Sequence, residues 1–117
     1  MKTPKIQVIQ LIVIDEIAIK KDVQLSSDLK QLTGILVEYV GYNKDNQLVG
    51  EISVCNIEGY DIIQNNFQLM AKSVHFQEDV LDINEALSIS PTIRVIFRNM
   101  RPSETYKVKV YLFYAEN

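Results

Sequence analysis

Cys55 and His75 are the chain's one cysteine and one histidine. A thiolate–imidazolium pair is the only nucleophile–base dyad they allow. Both lie in apolar, strand-like stretches, "ISVCNI" and "SVHF", where a cysteine ordinarily packs as a small buried hydrophobe. Four carboxylates cluster at Glu78, Asp79, Asp82 and Glu85. Oxygen ligands so close together are the raw material of a calcium site, and Asp79 with Asp82 has the makings of a hydrolytic pair. The segment has no glycine at a ligand turn, and Val80, Leu81 and Ile83 interrupt the acids, so a solvated acidic rim or partner contact is the better reading. Tyr39, Tyr42, Tyr60 and Phe67 offer a stacking face for sugar, although aromatic residues in β proteins more often build the core or an interface. Gly34, Gly41, Gly50 and Gly59 are scattered and form no phosphate-binding loop. The expectation is a protein without a catalytic set, metal or cofactor.

The elements that must position these residues are strands. The dominant hydrophobic period is two. "KIQVIQLIVIDEIAIK" is rich in isoleucine and valine, which suit a pleated surface. It is apolar at both parities between Ile12 and Ile14, which reads as coverage on both faces. Its apolar positions switch from even to odd near Val8 and Ile9, as a β-bulge there would produce. "KKDVQLSSDLKQL" reads as a loop or edge segment with Val23 and Leu25 inward. "TGILVEYVGY" places Ile35, Val37 and Tyr39 on one face. "QLVGEISVCNI" places Leu48, Ile52 and Val54 on one face, with Glu51 and Ser53 on the other. The turn Asn43–Asn46 between these two strands marks a hairpin. Val80, Ile83 and Leu87 are spaced three and four apart, which predicts at most one short helical turn near residues 79–88, ended by Pro91.

One domain over residues 1–117 follows from length. Six to eight strands separated by turn signals predict an all-β fold, a single antiparallel β-sandwich or jelly roll. Apolar residues are 47% and charged residues 23%, the balance of an ordinary globular protein. The net charge of −3 argues against nucleic acid as a partner. The first apolar run is broken by Gln7 and Gln10 and ended by Asp15 and Glu16. That fits neither a leader peptide nor the ~20 apolar residues of a membrane-spanning helix. The expectation is a protein made and used without export, with both termini ordered by their neighbours.

The chain closes with two alternating runs, "TIRVIFRNM" and "YKVKVYLFY". Pairing them through Ile93, Val95 and Phe97 against Val108, Val110 and Leu112 would bury six apolar side chains, at roughly 1.5–3 kcal/mol each. That outweighs the cost, up to ~1 kcal/mol per pair, of facing like charges. The opposite face would then join Arg94, Ile96 and Arg98 to Lys107, Lys109, Tyr111 and Phe113. Arginine mixed with aromatic residues is the composition of a protein interface. Its natural complement is acidic, and Glu78, Asp79, Asp82 and Glu85 of a second copy would supply it, as would another acidic subunit.

With long strands "KIQVIQLIVIDEI", "PTIRVIFRNM" and "YKVKVYLFY" at its two ends and no catalytic set, the chain resembles the small β-sandwich proteins of tailed-phage virions. These are the auxiliary or decoration proteins of heads and the jelly-roll adaptors of tails. The resemblance is architectural and implies a non-enzymatic structural subunit of a phage particle. Its partners would be other protein subunits, copies of itself among them, and it would be made in the host cytoplasm. The alternative is a β-sandwich module binding carbohydrate through Tyr42, Tyr60 and Phe67, or calcium through the acidic segment.

Overall fold

Alternating apolar side chains make two-faced strands, and two such sheets bury their apolar faces against each other. The computed structural model describes residues 5–28, 30–88 and 91–115. The expected order at Met1 and Asn117 lies outside the described residues. The elements are β1 (Lys5–Ile14), β2 (Ala18–Gln24), β3 (Gln31–Val40), β4 (Leu48–Ile57), β5 (Tyr60–Asp61), β6 (Phe67–Met70), α1 (Phe76–Asp79), β7 (Leu81–Ala86), β8 (Thr92–Asn99) and β9 (Thr105–Ala115).

They form an antiparallel sandwich. One sheet runs β1-β9-β3-β7; the other runs β2-β8-β4-β5, with β6 also on β4. Apart from β4, β5 and β6, which share a sheet, strands that follow each other in the chain alternate between sheets, so the first half of the chain winds against the second. That is the wrapping of a jelly roll. The all-β sandwich expected from the hydrophobic period is therefore the observed architecture. Its core joins Ile9, Leu11 and Val13 of β1, Ile35, Val37 and Tyr39 of β3 and Val108, Val110 and Leu112 of β9 to Ile52 and Cys55 of β4 and Ile93, Val95 and Phe97 of β8. Phe97 meets Tyr106 edge-on across the sheets at 6.2 Å, and Tyr39 lies against Tyr106 at 5.3 Å.

Several local expectations change. β8 and β9 do not pair: β8 lies between β2 and β4, and β9 between β1 and β3 in the other sheet. The apolar faces of β8 and β9 do converge, but through the core and not side by side. β3 and β4 likewise belong to different sheets, so Asn43–Asn46 is part of a crossover and not a hairpin turn. β1 has no bulge; it pairs with β9 without a register shift from Lys5–Tyr114 to Ile14–Thr105. The bulge lies in β4, where the register against β8 shifts between Ile52 and Val54. It turns Val54 outward beside Ile96 while Ile52 and Cys55 stay in the core. The helical turn falls at Phe76–Asp79, and Leu81–Ala86 is strand β7. Ile83 and Leu87 pack against the core, and Val80 lies over Gly34, where an added Cβ would stand 2.8 Å from its Cγ1.

Candidate interaction surface

The seven residues expected to form one basic and aromatic face are split between the two outer faces of the sandwich. Arg94, Ile96 and Arg98 lie on the β8 side, and Lys107, Lys109, Tyr111 and Phe113 on the β9 side. The arginines have acidic neighbours one strand away. Arg94 Nε donates to Asp22 Oδ1 at 2.9 Å, and Arg98 Nη1 donates to Glu51 Oε1 at 3.4 Å. The Arg94 hydrogen bond holds the Asp22 carboxyl below its ordinary range. This face is charge-balanced and solvated.

The other sheet has a different outer surface. Across β9, Lys107 stands between Ile12 and Val40, Lys109 between Gln10 and Glu38, Tyr111 between Val8 and Leu36, and Phe113 between Ile6 and Gly34. On the β3 side this surface is covered. Phe76 of α1 sits edge-on to Tyr111 at 5.4 Å and to Phe113 at 6.5 Å, and Leu36 is buried. Tyr111 Oη donates to Glu38 Oε1 at 2.6 Å. Burial first, and then that carboxylate, push the Tyr111 phenol up to about 12.

On the β1 side nothing among the described residues covers it. Ile6 is 49% exposed, Val8 46%, Ile12 51% and Ile14 55%. These four alternate with Ile9, Leu11 and Val13 of the core, so β1 is apolar on both faces and covered on one. Ile17, 80% exposed, and the fully exposed Tyr42 extend the apolar surface around the same end of the molecule. There Ile12, Val40, Gly41, Tyr42, Thr105, Tyr106 and Lys107 line a groove of about 440 Å³. The sequence already showed apolarity at both parities of β1. What it could not show is that none of the described segments lies over the second face.

A polar cluster fixes the groove end. The Asn99 side chain donates to the Glu16 carbonyl at 2.8 Å and accepts from Arg101 N at 2.9 Å and Tyr106 Oη at 2.5 Å. Arg101 donates to the Leu48 carbonyl at 3.2 Å, to Asp45 at 2.6 Å and to Glu104 at 3.5 Å. Three crossovers between the sheets, β1–β2, β3–β4 and β8–β9, are thereby tied together.

The remaining candidates do not come together. Cys55 is buried in the core; burial, and secondarily Asp61, push its thiol up to about 12, while His75 is exposed at the head of α1. The acidic residues are strung along two elements. Asp79 Oδ2 accepts from His75 N at 2.8 Å, Glu78 and Asp79 line one groove with Phe67 and Lys72, and Glu85 lines another with Glu58 and Tyr60. Among the described residues no three acidic, histidine or cysteine side chains converge as metal ligands. Tyr39 is buried, Phe67 packs on the core, Tyr42 lies in the loop after β3 and Tyr60 opens β5, so the four aromatic side chains of the alternative sugar reading do not share one face. Among the described residues no helix is long and apolar enough to cross a membrane. No protein-family model, curated protein sequence or solved structure matches this chain.

Proposed function

We propose that this chain is a non-enzymatic structural subunit that docks into a larger protein assembly, and that its docking surface is the uncovered outer face of β1. The observation that carries this reading is the row Ile6, Val8, Ile12 and Ile14, half exposed along one strand. Covering the wet half of each side chain gains about 1 kcal/mol apiece. Gln10 interrupts the row, and an exposed, largely apolar strip of this kind on a protein surface marks a place where another surface sits. The jelly-roll wrapping, the short connections and the absence of a converging catalytic group among the described residues fit a building block. A component of a tailed-phage particle, as capsid auxiliary protein or adaptor, is the assembly this architecture suits, and that assignment rests on fold analogy.

The test is the state of the tagged chain in the cells or particles that make it. The wild type is expected in a high-mass assembly of fixed stoichiometry. The double substitution Val8→Lys with Ile12→Lys, on side chains outside the core, is expected to leave the fold intact by circular dichroism and to release the chain from the assembly. Recovery of the wild type only as a small free species would sink the proposal.

A further inference from the structure

The four free margins of the two sheets are not alike. β2 carries Lys20, Lys21 and Asp22. β7 carries Asp82 and Glu85, and its partner shifts register between Leu32 and Gly34. β5 and β6 are two and four residues long. Charges, irregularity and brevity are the devices by which edges avoid pairing with other chains. β1 has none of them between Ile6 and Ile14. It is ten residues long, regular against β9, and without a charge over that stretch. Among the described residues its guard is Lys21, whose Nζ donates to the Gln10 carbonyl at 2.8 Å.

That bond also sets the parity of the edge. The Gln10 carbonyl is turned toward β2 and away from β9. In an antiparallel ladder successive residues point their backbone groups to opposite sides, so the even residues Ile6, Val8, Gln10, Ile12 and Ile14 present theirs to the open edge. These are also the residues of the uncovered face. A strand added to β1 must therefore pair with the even positions.

Centred on Gln10, the strand is nearly its own mirror image. Ile9 answers Leu11, Val8 answers Ile12, Ile6 answers Ile14, and Lys5 answers Asp15 with the opposite charge; Gln7 against Val13 is the exception, and both lie on the odd face turned away from the uncovered side. Only a partner running antiparallel to β1 with the same sequence makes use of that symmetry. Resting on the reading of β1 as the docking surface, we infer that its occupant is a second copy of this chain, paired β1 to β1 about a two-fold axis at Gln10. Val8 then faces the partner's Ile12, Ile6 faces the partner's Ile14, and Gln10 faces the partner's Gln10. At each end Lys5 stands opposite the partner's Asp15. Registers displaced by two residues set Gln10 against Val8 or Ile12 and misplace the charged ends. A carbonyl oxygen has two lone pairs, so Gln10 accepts the ladder bond and keeps Lys21. The β1-β9-β3-β7 sheets of the two copies merge into one of eight strands, and the interface is isologous and closed.

The experiment uses the purified full chain. Light scattering over a range of concentration is expected to give twice the 13.5 kDa chain mass. Single cysteines at positions 8, 10 and 12 then read the register under mild oxidation, with buried Cys55 left in place and the wild type as control. Directly opposed residues of a hydrogen-bonded pair lie ~5.5 Å apart at Cα, within disulfide reach. Gln10→Cys is expected to cross-link to a covalent dimer. Val8→Cys and Ile12→Cys should not do so singly, but should when the two variants are mixed. A wild-type monomer at every concentration, or cross-linking that does not single out position 10, overturns the pairing. A purified monomer whose tagged form still enters a native assembly through the β1 face would remove the second copy as occupant and leave the docking surface standing. If the tagged chain enters none, both readings go.

Discussion

At the scale of single residues, the cysteine that looked reactive is packed in the core. Cys55, on β4, lies between the two sheets, and its raised thiol pKa follows from burial. The polar residues with most to do are Asn99 and Arg101. They bind the backbone of two crossovers and the carboxylates of Asp45 and Glu104. Asp45 has a consequence that pH exposes. Its carboxyl, ordinarily at 3.8, is held lower by the hydrogen bond from Arg101. A carboxyl depressed in the fold contributes stability above its unfolded value, and that contribution is lost as pH falls through the lowered one. Asp45→Asn should therefore lower Tm at neutral pH, and its Tm curve should meet that of the wild type in strong acid. Parallel curves throughout would show that the Asp45–Arg101 contact does not couple to folding.

At the scale of elements, strand existence and the inward sets of β3, β8 and β9 were legible because a two-sided pleat writes itself into a period of two. Pairing partners were not. The loops at residues 41–47 and 100–104 have the polar composition of hairpin turns, yet each carries the chain from one sheet to the other. Loop composition reports solvent exposure and turn geometry; it does not report which of two sheets, ~10 Å apart, receives the next strand. The bulge in β4 escaped for a related reason. Its signal is the parity change from Ile52 to Cys55, which a flanking Val54 hides. Gly50 in the same strand is explained only by the fold: a Cβ there would collide with the Arg98 carbonyl and the Phe97 ring. Backbone cannot swing aside as a side-chain tip can. Gly50→Ala is expected to cost roughly 1–3 kcal/mol, read as a drop in the denaturant midpoint at unchanged slope. An unchanged midpoint would mean that β4 and β8 separate at no cost.

At the scale of the whole molecule, two outer faces divide the work. The β8 face carries Arg94 and Arg98 beside Asp22 and Glu51. The exposed Arg94–Asp22 pair contributes ~0.2–1 kcal/mol, Arg98 serves as partner to the buried Glu51, and a balanced face has little to steer a partner with. Arg94→Glu with Arg98→Glu is expected to lower stability, chiefly by leaving the buried Glu51 beside a like charge, and to leave the mass of the assembled protein unchanged. Loss of assembly in that variant would move the interface to the β8 side. The β9 face is half roofed by Phe76 and half open along β1, and the open half is where association is expected.

The sequence by itself determined the class of fold, the approximate strands, most of the core and the apolarity of β1 on both faces, because each is a local pattern of side-chain polarity. The tertiary structure decided which strands are neighbours, which charges meet, and which apolar face stays uncovered. Those depend on contacts between residues far apart in the chain: Arg94 with Asp22, Arg98 with Glu51, β1 with β9. The apparent basic patch dissolved for that reason, and the edge of β1 became visible as a surface only once the other described strands had been placed elsewhere.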